Sequence, residues 1–485
     1  MTISLSVSED AAIVFRDGVH LESDGDEVRL AGPHGSFALG RTTPGIRSAL
    51  RALAGPPVRL AELAMSPGER VQMERIAERI GHLLARCVLH DGRELARIEA
   101  TARGAGYRAA VVPADASVRL SRFAFCRSRD DRLVLESPLA KHRVTLVDPV
   151  ARAMVAELAG PRTAAELPSQ DLLAQLVGAG FVETGADGFA SDADPTLRQW
   201  DFHDLLFHSR SRPGRYDDPF GGIFPYQGEI EPQPAVKPVP DGPAVELPRP
   251  SWNQVVANDS SLATVMEART SIRQYGDEPM TLDQLGEFLY RVARVRSRYG
   301  PGDGVPYEVA ARPFPCGGGA YELELYLTVR RCAGLAEGIY YYDPVGHRLV
   351  LVNSDDTDRR AMLYVASVAT AMQANPDVLI TITSRFQRLS WKYRAIAYAV
   401  TLRHTGVLYQ TMYLVATAMG LAPCGLGSGD SDLAARVLGL NYTRESSVGD
   451  FILGSHPGAT GGHVPANWAP VNDPGWALLA RDLLS

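Results

Sequence analysis

Apolar and small residues crowd every side of the helical wheel between Tyr393 and Met419, which predicts a helix packed on all faces rather than one with a water-facing side. Gly420 follows as its C-terminal stop. The run from Pro423 to Asp430, PCGLGSGD, reads as a glycine-rich turn that lets backbone N–H groups approach a flat or anionic ligand. Upstream, Thr281 and Gln284 spell a capping box, and Leu282, Leu285, Leu289 and Val292 give the following helix its core face. Leu323, Leu325, Leu327 and Val329 alternate with polar neighbours as a strand does. GIYYYDPVGHRLVLV predicts a hairpin turning at Asp343 to Gly346, then a helix from about Thr357 to Met372, a buried strand VLITITSRF and a short strand from Val448 to Gly454. This order predicts an α+β arrangement, a mixed sheet flanked by helices.

The first part of the chain repeats itself. Leu30, Pro33, Pro44, Leu53, Gly55 and Pro56 recur at one constant offset as Leu135, Pro138, Pro149, Leu158, Gly160 and Pro161. In both copies a β-type pair precedes a proline and a helical run ending in Ala-Gly-Pro, with a second helix around Met73 to Cys87 and around Ser169 to Gly178. Strands followed by helices predict two winged-helix-like units, over 1–95 and 115–195. The second helix of copy two, SQDLLAQLVGAGF, clusters no Lys or Arg to neutralise phosphates. Residues 196–250 hold a helix-forming stretch around Trp200 to Phe207 and then a proline-rich arm, with a further domain at 251–485. His203 and His208 read as structural hydrogen-bonders in that stretch.

Composition changes this picture little. The chain has 485 residues, 45% hydrophobic and 22% charged, with a net charge of -7, which is ordinary for a globular protein and leaves no footprint for nucleic acid or an anionic membrane. The N-terminal MTISLSVSEDAAIVF lacks the basic start and apolar core of a signal peptide, and no run is long and charge-free enough to span a bilayer; the expectation is a cytoplasmic location. Five cysteines without CxxC or Cys/His spacing imply neither a disulfide framework nor a zinc site. Walker, GxGxxG and HExxH motifs are absent.

Arg269, Ser271 and Arg273 alternate, and an extended backbone would set two guanidinium groups and a hydroxyl on one side, a seat for phosphate or an electron-rich ring edge. Together with RPFPCGGGAYELELYLTVRR and WKYRAIAYAVTLRHTGVLYQTMYLVATAMGLAPCGLGSGDSD, this resembles the flavin-dependent SagB/ThcOx-type azoline dehydrogenases, the cyanobactin oxidase branch of the nitroreductase superfamily. The resemblance covers the C-terminal half directly and the N-terminal half more loosely, where the repeats resemble peptide-clamp domains that add a leader peptide to a sheet edge.

The resemblance implies FMN as cofactor and oxidation of thiazoline or oxazoline rings in a ribosomal peptide to azoles. It implies that Arg269, Ser271 and Arg273 hold the phosphate end and pyrimidine edge. It implies that the turn of Pro315, Cys316, Gly317 and Gly318 lies along the flavin, with Cys316 in a place usually taken by serine, and that Gly425, Leu426 and Gly427 lie near its reactive nitrogen. Lys392 and Tyr393 match the family's catalytic pair, and either can be the base: a cation beside a phenol favours tyrosinate, and a desolvated lysine can itself accept the proton. Neighbouring residues on a helix point about 100° apart, so the pair must stand at the helix start or divide its duties. Gln410 is either a buried polar group facing the flavin or an interhelical hydrogen bonder, and Arg385 and Arg388 either steer substrate or hold a partner subunit. The expected partners are an azoline-containing precursor peptide, a second copy in a homodimer, and a cyclodehydratase; nucleic acid and membrane are not expected, nor is a metal. Two other readings stand beside this one: an NAD(P)H-dependent nitro or quinone reductase, and a non-catalytic peptide-binding scaffold.

Overall fold

The computed structural model describes residues 11–458 and 475–484, apart from 33–34, 103–104, 186–187 and 303. Pro33 of the repeat, the first ten residues and the middle of the C-terminal tail lie outside the described residues. Two compact units divide at Pro219 and Phe220.

In the first unit the repeat appears in the order of the elements. Strands Ala12–Phe15, His20–Asp24, Glu27–Gly32 and Gly35–Arg41, helix Pro44–Ala52, strand Val58–Arg59 and helix Pro67–Arg79 answer to Ser117–Leu120, Phe125–Arg129, Arg132–Glu136, His142–Leu146, Pro149–Glu157, Arg162–Thr163 and Gln170–Gly178. Thr43 and Asp148 cap the first helix of each copy, with proline in the first turn, and Ser66 and Ser169 cap the second. The expected second helix of copy one ends too late: it stops at Arg79, and Leu84–His90 is a strand that buries Cys87. Leu84, Ala85, Cys87, Val88 and Leu89 are apolar residues that gain more by pairing this segment with Arg93–Ala100 than by continuing the helix.

The second unit is built on a seven-stranded sheet in the order Ala244–Glu246, Arg348–Asn353, Gly338–Asp343, Leu323–Val329, Val378–Arg385, Glu445–Ser455 and Leu421–Leu426. Every neighbouring pair is antiparallel, so the expected mixed sheet is corrected. The hairpin at Asp343 and the connections through helices return each strand to run against its neighbour. One face packs on helices Leu282–Ala293 and Ala397–Ala418, the other on Asp356–Ala369 and Ser431–Val437. Covered on both sides, strand Leu323–Val329 is buried throughout, its polar residues included.

The capping box at Thr281 and Gln284 forms as expected. Gly420 takes a left-handed backbone, φ 64°, and ends the long helix. That helix is not packed on all sides. Ala399, Thr401, His404, Thr405, Leu408, Met412 and Ala416 make one buried stripe, while Tyr398 and Leu402 stand 48% and 39% exposed. No helix among the described residues is long and apolar enough to cross a membrane.

Candidate functional site

Two groups of side chains meet on the helix Ala397–Ala418. The first surrounds the glycine turn at Gly317–Gly319, where Gly318 and Gly319 adopt left-handed φ of 60° and 65°. Here the chain needs glycine for space as well as conformation: a Cβ on Gly318 would lie 1.8 Å from Lys392 Nζ, and one on Gly317 would lie 3.3 Å from both Tyr393 Oη and His404 Nε2. Lys392 and Tyr393 therefore converge on the Cys316 turn.

The pair does not begin the long helix. Phe386–Ser390 is a separate short helix, Lys392 follows it in a turn, and Tyr393–Arg394 pairs as a two-residue strand with Gly221–Gly222. This local extension answers the geometric problem of adjacent helical residues. Both side chains reach the same turn, and Lys392 Nζ lies 5.0 Å from the centre of the Tyr393 ring.

Beneath the turn lies a closed polar network. Gly317 N–H donates to His404 Nε2 at 2.8 Å, which leaves the ring proton on Nδ1, 2.8 Å from a Glu322 oxygen. Glu322 is fully buried. Cys316 Sγ accepts from Tyr321 N–H at 3.1 Å and lies 3.7 Å from the second Glu322 oxygen. Burial, with the Glu322 charge next, pushes the Cys316 thiol well above its ordinary range, so it stays protonated and donates to that carboxylate. Cys316, Glu322 and His404 have the mutual spacing of a metal-ligand set. Their lone pairs and protons are nonetheless spent on one another and on the backbone.

Arg388, only 2% exposed, donates to the carbonyls of Ala320, Glu308 and Gln233. Arg385 donates to Pro234 and Ala235 and stands 2.9 Å from buried Glu324. Burial, reinforced by the Arg385 cation, lowers Arg388 to about 10. These two arginines are structural clamps on the arm that runs through Gln233 to Ala235, not groups facing solvent or a partner.

The second group gathers Arg269, Ser271, Tyr413 and Gly425. Ser271 Oγ and Tyr413 Oη are 2.8 Å apart, Gly425 N–H donates to Tyr413 Oη at 2.8 Å, and the Arg269 guanidinium lies 5.2 Å from the Tyr413 ring centre. Residues 269–273 form no strand, and Ile272 N–H donates to Pro423 O at 2.9 Å. Ile272 is buried, Arg269 and Ser271 are half-buried and Arg273 is exposed. The expected turn from Pro423 to Asp430 is corrected in its first half. Leu421–Leu426 is a strand of the sheet, which fixes Gly425 and Leu426 in its ladder, and the loop starts at Gly427, around which an added Cβ meets nothing within 4 Å. Gln410 is exposed; it lies off the stripe formed by His404, Leu408 and Met412, which corrects the expectation of a buried position. Pro315 is exposed at the entry to the glycine turn.

His404, Glu322 and Tyr413 belong to these groups, as does Tyr307, whose Oη lies 2.8 Å from Lys392 Nζ, but the sequence alone does not single them out. A histidine within an apolar helix was the available signal for His404; Glu322 and Tyr307 carry none, since their roles arise from contacts across the fold.

Residues 266–455 match the nitroreductase family model, and residues 118–217 match that of the cyanobactin oxidase ThcOx. Over these two segments the chain is similar to the cyanobactin oxidase ThcOx and to the nitroreductase family. A Methanocaldococcus jannaschii protein that carries the nitroreductase name is 26% identical over 39% of this chain and 86% of its own length. The trifolitoxin-processing protein TfxB of Rhizobium leguminosarum bv. trifolii is 28% identical over 29% of this chain, a match that spans 39% of TfxB. Among solved structures, the E. coli microcin synthetase McbBCD complex with truncated pro-MccB17 bound overlaps at a TM-score of 0.32 and 20% identity, covering 38% of this chain and 67% of that one.

A flavin phosphate and ring edge call for guanidinium, hydroxyl and backbone N–H donors. Arg269, Arg273, Ser271 and the open loop from Gly427 provide that set, and the arginines form no ion pair with a carboxylate among the described residues. These residues fit FMN.

Proposed function

We propose that this protein is an FMN-dependent dehydrogenase that converts thiazoline or oxazoline rings to thiazole or oxazole in a ribosomally made peptide. The observation that carries the reading is the convergence of Lys392 and Tyr393 on the Gly317–Gly318 turn, in a chain that also carries a donor set suited to a flavin. FMN, when bound there, supplies the two-electron acceptor.

The remaining work falls to the protein. Aromatising an azoline requires loss of the Cα proton, which the Tyr393 phenolate or the neutral Lys392 amine would accept. Arg269, Ser271 and Arg273 would hold the cofactor's phosphate and pyrimidine edge. The backbone of Gly317 and Gly318, fixed from below by His404, would line its ring. The relationship to ThcOx and to a trifolitoxin-processing protein supports a peptide substrate over a free quinone or nitro compound, and the two N-terminal repeats would act as clamps for its leader. A cyclodehydratase that forms the azoline is the partner this chemistry requires.

A homodimer fits the surface. Trp252, Leu262, Met266, Trp476 and Leu483 are 75%, 65%, 55%, 58% and 71% exposed, and the helix Ala397–Ala418 leaves Tyr398 and Leu402 uncovered. Large apolar side chains in that number would give a second chain apolar surface to cover.

The test is incubation of the flavin-loaded protein with an azoline peptide, followed by mass. Loss of two mass units per ring supports the reading, and quinone or nitro reduction by NAD(P)H with no ring oxidation favours the reductase. Purified protein without visible flavin absorbance favours the scaffold. Lys392→Ala and Tyr393→Phe should each reduce ring oxidation to a small residual rate and keep the yellow colour.

A further inference from the structure

The tip of Lys392 is held by a residue outside the pair. Its Nζ lies 2.8 Å from Tyr307 Oη, and Tyr307 Oη donates its single proton to Gly318 O at 2.7 Å. With that proton committed, the phenol oxygen can only accept from the amine. Burial pushes the Tyr307 phenol above its ordinary value, which keeps the proton in place at neutral pH.

The surroundings fix Tyr307 as well. Its ring is buried among Val309, Trp391, Phe224 and Tyr226, with centroids 5.8 Å from Trp391 and 6.1 Å from Phe224. Phe224 takes a left-handed φ of 52°, a strained conformation for a bulky residue that persists only where the surroundings impose it. Phe224 N–H donates to Lys392 O at 3.1 Å, so the lysine is anchored at its backbone by the arm and at its amine by Tyr307. Three rings, those of Tyr393, Tyr307 and Phe224, lie 5.0, 5.2 and 5.9 Å from Nζ, within the range at which aromatic faces attract a cation.

We propose that Tyr307 is a positioning residue that holds the Lys392 amine over the glycine turn, and that, on the reading of the pair given above, ring oxidation depends on this hydroxyl. Tyr307 acts through Lys392 and the Gly318 carbonyl and does not itself exchange protons with substrate.

Tyr307→Phe keeps the ring and removes the hydroxyl. The first measurement needs no azoline: the flavin-loaded protein is exposed to a water-soluble acylating reagent, and Lys392 labelling is followed by peptide mass. Release of the amine should raise the labelling rate several-fold in the variant. The second is turnover of an azoline peptide, where kcat should fall about tenfold with KM and bound flavin unchanged. In a Lys392→Ala background, Tyr307→Phe should add no further loss in residual rate or flavin affinity. Unchanged labelling, multiplicative losses in the double variant, or loss of flavin from Tyr307→Phe alone would each overturn the proposal. If the wild-type protein leaves azoline rings intact, the functional reading falls, and the labelling contrast still decides whether Tyr307 holds the amine.

Discussion

The backbone N–H of Gly317 points at Nε2 of His404, 2.8 Å away, and the opposite ring nitrogen faces Glu322 at the same distance. A loop of three glycines thus owes its shape to a histidine 87 positions later. His404→Ala would strand both the Gly317 N–H and a buried carboxylate. The expected cost is about 2–4 kcal/mol of stability, read as a lower urea midpoint, with weaker flavin retention measured by visible absorbance after gel filtration.

Gly318→Ala tests the contact on the other side of the turn. Its Cβ would take the place now occupied by the Lys392 amine, and a lysine tip moves more readily than a backbone. The left-handed φ adds a penalty of about 1 kcal/mol. Ring oxidation should fall at least about tenfold, while the thermal midpoint drops only a few degrees and the protein remains yellow.

Arg269→Ala and Arg273→Ala address the donor set. Each removes a cation from the expected phosphate seat, so the flavin dissociation constant should rise by about one to two orders of magnitude per site, the worth of one charge-assisted hydrogen bond. Titration of the apoprotein with FMN, followed by flavin fluorescence, gives the value. Ser271→Ala should act more weakly, because it breaks a neutral contact to Tyr413.

Asp450 supplies a pH test. Its Oδ1 is buried without a hydrogen bond, and loss of solvation raises its carboxyl to about 6. Because the folded value lies above the unfolded one, the native state binds the proton more tightly. Stability therefore falls as pH rises from about 4 to about 6 and stays lower above that window. Asp450→Asn should unfold at a higher urea concentration than wild type at pH 8, with the difference shrinking toward zero near pH 4.

Periodicity made the secondary elements of the second unit legible: the Thr281 capping box, the strand from Leu323, the Asp343 turn and the stop at Gly420 are local features. The direction of strand pairing was not legible, because antiparallel and parallel ladders bury the same apolar residues. The long helix was over-read. Tyr398 and Leu402 are as apolar as Leu408, and only tertiary contacts distinguish a face covered within one chain from one left open. At the site, Lys392, Tyr393, Gly317 and Gly318 were reachable through a family pattern. Tyr307 and Glu322 sit 85 and 82 residues from the groups they bind, a separation that no local pattern encodes.

The arm that opens the second unit has a practical consequence. Arg385, Arg388 and Trp391 spend their donors on carbonyls of Pro234, Ala235, Gln233 and Ile230, all of which precede the family match at residue 266. A catalytic fragment trimmed to that match would keep every residue of the Lys392 and Arg269 groups and still lose the brace under the lysine. Excision for engineering has to carry the sequence from Gly221 onward.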